Sequence, residues 1–197
     1  RHDGNDKGTG RALYGADMNL PGMLYGKVLR SPHAHARIKS INVEKAANHP
    51  NCKAIVTSKD LAKSPAITKE PLYGQVRITN VLASDKVLYK GHPILAVAAK
   101  SVDDAEELLD LVDIEYEILN SVTNAEDAIK DGADVLHENW KKSDDILEVN
   151  SNGTNIGTIE VYKLGNADDE LKKSEFIIER EFRTKTVHQG YIEPTNG

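Results

Sequence analysis

Between Pro21-Gly22 and Ser31-Pro32 lies the apolar stretch Met23-Leu24-Tyr25-Gly26-Lys27-Val28-Leu29, and this punctuation constrains the chain more than any other feature. Pro-Gly places a turn just before the stretch. Ser-Pro ends it, because proline has no N–H to donate and pushes the preceding residue out of the helical region. Residues 20–38 therefore predict a turn, a strand, a tight corner and a second strand starting near Ala36.

The next apolar run is Ala54-Ile55-Val56-Thr57, a short buried-strand candidate, followed by Ser58-Lys59-Asp60-Leu61 as a cap and one helical turn. Residues 62–84, with Pro65 and Pro71, predict a long irregular surface loop. Ile94 to Ala99 is uninterruptedly apolar, as in a strand covered on both faces. Ser101 then suits a helix N-cap, with Asp104 where a capping box would hold Glu or Gln. Asp103 and Asp104 also suit the positive end of the helix dipole. Val102, Ala105, Leu108, Leu109 and Val112 fall on one helical face. Ile114, Tyr116 and Ile118 alternate with Asp113, Glu115 and Glu117, a half-exposed strand with one acidic face. Strand, helix and strand together predict a βαβ-like unit, its second strand's polar face fitting a sheet edge or an open face better than a doubly covered centre.

Residues 143–157 are polar and Asn-rich and predict a linker between residues 1–142 and 158–197. After it, residues 158–164, a helix over 166–173 and a strand over 176–182 predict a second small βαβ-type unit. The first ten residues hold three glycines and no apolar periodicity, the pattern of a mobile arm.

Hydrophobic residues make up 39% and charged residues 28% of the 197, the balance of a folded globular chain and not of a disordered one. Aromatic residues are only 5%, so the core must be mostly aliphatic. A net charge of −6 argues against general nucleic-acid binding, which needs clustered Lys and Arg. No apolar run approaches membrane-spanning length. Cys52 is the only cysteine, which excludes an internal disulfide and an iron–sulfur cluster ligated by this chain alone. A cytoplasmic location is the simplest expectation.

His33 and His35 form an HxH pair that would point to one side of a strand, as metal ligands need. Pro32 makes this a corner, and no nearby acid or cysteine completes a ligand set, so structural roles are expected. His188 and Glu193 suggest acid–base work, because histidine titrates near neutrality and a buried glutamate can be tuned upward. Gly4, Gly8 and Gly10 lack the preceding strand and the following Lys-Ser or Lys-Thr of a phosphate loop. The acidic faces at Asp113, Glu115 and Glu117 and at Glu179 and Glu181 read as solvated, with subunit docking as the sharper alternative. Trp140 reads as a packing anchor beside Leu136. No residue is assigned a catalytic, cofactor-binding or metal-binding role.

Four segments in register carry a resemblance. PGMLYGKVLRSPHAHARI (residues 21–38), GHPILAVAA (91–99) with Ala105 and VDIEYE (112–117), Asp127-Ala128 through Gly132-Ala133 to His137-Glu138, and Leu164-Gly165-Asn166 through Phe182-Arg183 to His188 and Glu193-Pro194 resemble the molybdenum-binding large subunits of the xanthine dehydrogenase and aldehyde oxidase family. The resemblance covers almost the whole chain. It implies an α+β fold, the α/β hammerhead domain with mixed sheets and flanking helices over 1–142, and a truncated start of the first molybdopterin-binding domain over 158–197. It implies that the chain is the N-terminal fragment of a molybdenum hydroxylase, an oxidoreductase inserting a water-derived oxygen into an aldehyde or heterocycle. Molybdopterin would belong to the parent enzyme, with iron–sulfur clusters and FAD on partner domains or subunits. The same resemblance makes His33 and His35 structural, since the family's metal is not bound through this corner. It also leaves Glu193 out of catalysis, since the family's catalytic glutamate lies near the far C-terminus. The rival reading is a stand-alone, non-catalytic hammerhead scaffold that binds a partner protein.

Overall fold

The computed structural model describes residues 2–61, 80–138, 155–156 and 162–190. The chain divides into two compact units, residues 24–160 and residues 1–23 with 161–197.

In the larger unit, β1 (Tyr25–Arg30), β2 (Ala36–Asn42), β3 (Cys52–Thr57), β4 (Lys86–Val87), β5 (Pro93–Ala99) and β6 (Asp113–Ile118) form two three-stranded sheets, ordered β1-β5-β3 and β4-β2-β6. The fold class is α+β, as expected. The sheets are antiparallel throughout the described residues, where mixed sheets were expected. The helix α4 (Val102–Asp110) leads from β5 in the first sheet to β6 in the second, so the expected βαβ unit is absent. Local periodicity predicted each element but could not tell which sheet the second strand would join. Other helices described in this unit include the single turns α2 (Glu44–Ala47), α3 (Ser58–Leu61) and α5 (Ala125–Ala128).

β5 is the centre of the first sheet, and its two faces serve two cores. Leu95, Val97 and Ala99 are buried with Ala105 and Leu108 of α4 and with Ala46. Ile94 points to the other side and is buried with Ala36, Ala83 and Val87. That double service explains the uninterrupted apolar run. Each fully buried Leu or Ile contributes about 1.5–3 kcal/mol of apolar transfer. On α4, Ala105 and Leu108 are buried and Val102 stays largely exposed. The Ser101 cap forms as expected: its Oγ accepts from the Asp104 N–H at 3.1 Å and donates to the Asp104 carboxylate at 2.6 Å.

β2 carries one extra residue opposite β6, since Ile38 pairs with Tyr116 and Ser40 with Glu115. Lys39 is the bulged residue. The bulge turns Ile38 and Ile41 toward the same core despite their odd spacing. β6 is an edge strand as expected, although Ile118 is exposed.

Leu82 and Ala83, at the end of the expected surface loop, are buried, and Ala83 donates its N–H to the Pro93 carbonyl at 2.7 Å. Residues 62–79 of that loop lie outside the described residues. So does most of the expected linker over 143–157. Asn155, at its end, belongs to the larger unit: its Nδ2 donates to the carbonyls of Ala128 and Asp134, both at 3.0 Å, and its Oδ1 accepts from the Leu136 N–H at 2.9 Å. The boundary between the two compact units falls after residue 160.

In the smaller unit the Pro21-Gly22 turn closes as expected, with Met23 donating to the Leu20 carbonyl at 3.0 Å. Gly22 takes φ +76°, a backbone region that favours glycine. The N-terminal arm holds the short exposed helix α1 (Gly4–Gly8) and is less irregular than its composition predicted. A 3₁₀ turn spans Gly15–Asp17. The helix expected at 166–173 is α6 (Ala167–Lys173), with Asn166 as its cap. The strand expected over 176–182 does not form. Phe176, Ile178 and Phe182 share the alternation, yet they are almost fully exposed, and no described strand pairs with them. Alternation alone cannot supply a ladder partner.

Candidate functional site

The two histidine-bearing segments, SPHAH (31–35) and GHP (91–93), meet at the end of the β1–β5 pairing. Ser31 donates its N–H to the His92 carbonyl at 3.0 Å, and Gly91 donates back to the Ser31 carbonyl at 2.9 Å. Arg30 Nη1 adds a bond to the Gly91 carbonyl at 3.0 Å. Gly91 takes φ +84°, which lets the chain reverse tightly enough for His92 to donate to the Tyr89 carbonyl. Inside the corner the Ser31 hydroxyl accepts from the His33 N–H and donates to the His33 carbonyl, each at 3.0 Å.

Three histidines sit in this corner with different anchors. His35 is buried, and its Nδ1 lies 2.5 Å from the Asn120 carbonyl. A carbonyl only accepts, so Nδ1 carries the proton and Nε2 is the bare nitrogen. His92 is fully buried and holds the opposite tautomer, since its Nδ1 accepts from the Leu88 N–H at 3.2 Å. Its ring stacks on Tyr89 at 4.4 Å. His33 is half-buried and meets the Tyr116 ring edge-on at 4.8 Å. Burial pushes the Tyr116 phenol pKa up.

Each buried imidazole is thus held through Nδ1 by the backbone, which fits bracing of a corner. Among the described residues no three His, Cys, Asp or Glu side chains gather as a metal site. The HxH pair is not brought to a third ligand. Cys52 lies half-buried on β3, paired with Ala99.

The acidic face of β6 is largely matched. Asp113 meets Lys45 at 3.0 Å and Glu117 meets Lys39 at 2.8 Å. The Lys39 hydrogen bond, helped by its charge, holds the Glu117 carboxyl below the usual range. Glu181 pairs with Arg183. His188 is exposed, and its Nδ1 accepts from the Gly190 N–H at 2.9 Å. Glu193 and Trp140 lie outside the described residues. Gly4 and Gly8 belong to a one-turn helix, with no phosphate loop around them.

One cluster carries no mark in the sequence. Lys86 is buried with 7% of its side chain exposed, and its Nζ reaches the Val135 carbonyl at 3.0 Å and Glu138 Oε1 at 3.1 Å. Arg37 Nη2 donates to the same carboxylate oxygen at 2.8 Å. These contacts hold the Glu138 carboxyl below the usual range, Lys86 contributing most. His137 beside them is depressed too, by burial first and then by the Lys86 charge. No local signal reveals a buried lysine, because Lys86 sits in an ordinary polar-to-apolar transition.

Residues 9–120 match the aldehyde oxidase and xanthine dehydrogenase α/β hammerhead domain. The chain belongs to this family. Over its full length it is 32% identical to a probable xanthine dehydrogenase component of Bacillus subtilis, covering 24% of that protein. Over 93% of its length it is 32% identical to the carbon monoxide dehydrogenase large chain of Afipia carboxidovorans, covering 23% of it. Among solved structures it resembles a Cu,Mo-CO dehydrogenase with a TM-score of 0.60 and 33% identity, over 72% of this chain and 18% of that one. The hammerhead chain therefore spans about a quarter of the curated relatives it matches, which are molybdenum-family dehydrogenases. All six strands and α4 fall within the matched residues. No helix among the described residues is long and apolar enough to cross a membrane.

Proposed function

We propose that this hammerhead unit is the architectural opening of a molybdenum hydroxylase large subunit. It braces the part of the enzyme that holds molybdopterin and presents a face to the iron–sulfur and flavin partners. The whole enzyme would oxidise an aldehyde, a heterocycle or carbon monoxide in the cytoplasm. Residues 158–197 would open the first molybdopterin-binding domain.

The observation that carries this reading is how the buried polar side chains are used. Ser31, His35, Lys86 and His92 bond to backbone atoms or to one carboxylate. A pterin needs several polar groups converging on a deep pocket. These inward bonds support a bracing role, and on this reading none of the described residues is assigned a catalytic, cofactor-binding or metal-binding role.

Mixing the purified chain with molybdopterin and measuring molybdenum tests the proposal. No bound metal is expected. Stoichiometric molybdenum on this chain would place the site here and overturn the architectural reading.

A further inference from the structure

Segment 133–138 is tied to the second sheet by charge. Glu138 Oε1 receives both Lys86 from β4 and Arg37 from β2. Lys86 also reaches the Val135 carbonyl. The ammonium is buried, whereas Glu138 and Arg37 keep roughly half their side-chain exposure. A buried cation is tolerated only while it is paired and hydrogen-bonded. If Glu138 lost its charge, Lys86 would keep its cost and lose its partner. The cheapest relief is for the segment to lift and let water reach Nζ. Removing Lys86 as well would abolish that drive.

We propose that Lys86, Arg37 and Glu138 form a charge latch that decides whether segment 133–138 lies on the β2–β4 side of the second sheet or lifts away, with Glu138 as the moving part. The latch is a conformational device within the larger unit and is independent of any cofactor. The Asn155 amide is its second tie, since it grips Asp134 and Leu136. Asn155 also holds the Ala128 carbonyl at the end of α5, so it stays with α5 when the segment lifts, and its bonds to Asp134 and Leu136 open with the latch.

Amide hydrogen exchange on the whole chain tests this. The Leu136 N–H, bonded to Asn155, reports on the segment, and the Val97 N–H in β5 reports on the fold. Glu138→Gln is expected to speed Leu136 exchange by on the order of tenfold and leave Val97 unchanged. In a Lys86→Met background the same substitution is expected to change Leu136 by less than about threefold. Unchanged Leu136 exchange in Glu138→Gln, an equal rise at Val97, or a full effect without Lys86 would each overturn the latch. If Glu138→Gln does not fold, Glu138→Asp keeps the charge and shortens the reach. Faster Leu136 exchange there with Val97 unchanged would support the latch, and no change would overturn it.

Discussion

Ser31 donates its backbone N–H to the carbonyl of His92, and that bond welds the end of β1 to the turn that starts β5. Two segments far apart in sequence become one corner, with a histidine ring buried on each side. On the architectural reading proposed above, substitutions in this corner are read in stability.

Replacing His92 with Ala removes a fully buried ring, its bond to Leu88 and its stack on Tyr89. We expect a loss of about 2–4 kcal/mol in urea unfolding. His33→Ala, at a half-buried ring, should cost less than about 1.5 kcal/mol. Equal costs would show that burial does not rank these histidines.

Leu108 and Val102 lie on the same helix with opposite fates. Leu108→Ala should cost about 2–5 kcal/mol, because the side chain is fully buried beneath α4. Val102→Ala should stay within about 0.5 kcal/mol, since the side chain is exposed and alanine is the better helix former. Chemical denaturation of both variants checks the pair.

The N-cap gives a third expectation. Ser101→Ala should cost about 1 kcal/mol by leaving the Asp104 N–H without its acceptor. The Asp104 carboxyl is held below its ordinary value, first by the Ser101 hydroxyl and then by Asn51. A depressed acid stabilises the fold above its unfolded pKa, and that stability is lost as pH falls through the folded pKa. The acid limb of a melting-temperature profile should therefore be shallower in Ser101→Ala than in the parent chain.

His137 titrates in the opposite chemical sense but with the same slope. Its imidazole is depressed by burial and by Lys86, so the fold prefers it neutral. Stability should be full above the ordinary histidine pKa and should fall as pH drops through it toward the lower folded value. His137→Asn should remove the part of the profile that sets in as pH falls through the ordinary histidine pKa of about 6.5, while leaving the carboxylate part below about pH 4. A wild-type profile that is flat through this window would contradict the assignment.

Residues 176–187 should exchange their amides almost as fast as an unfolded peptide, because Phe176, Ile178, Phe182 and Val187 are exposed and no described strand pairs with them. The larger unit should still melt cooperatively. Strong protection over 176–182 in this chain would show that the ladder partner is already present.

Turn chemistry made most element boundaries legible. Pro21-Gly22, Ser31-Pro32 and Ser101 each act through one or two neighbouring residues, and each marks the chain where its chemistry predicts. Strand partners were not legible. Nothing near Asp113 says that β6 joins β2 and not β5, and nothing near Lys39 announces a bulge. At the corner, the sequence singled out His33 and His35 as a pair, but the Asn120 carbonyl that anchors His35 comes from far along the chain. The meeting of His92 with Ser31 and the Lys86–Glu138 pair join segments distant in sequence, so no local pattern encodes them.

Ile94 and Leu95 are neighbours on β5 with opposite destinations, one in each core. A slip of β5 by a single residue against β1 and β3 would swap those destinations. Each hydrophobic cluster would then receive a side chain shaped for the other, and Pro93 or Ala96 would be pulled inward. The strand's alignment is therefore proofread from two sides at once. A misaligned sheet would lose packing in both places, which leaves little room for an alternative pairing of comparable energy.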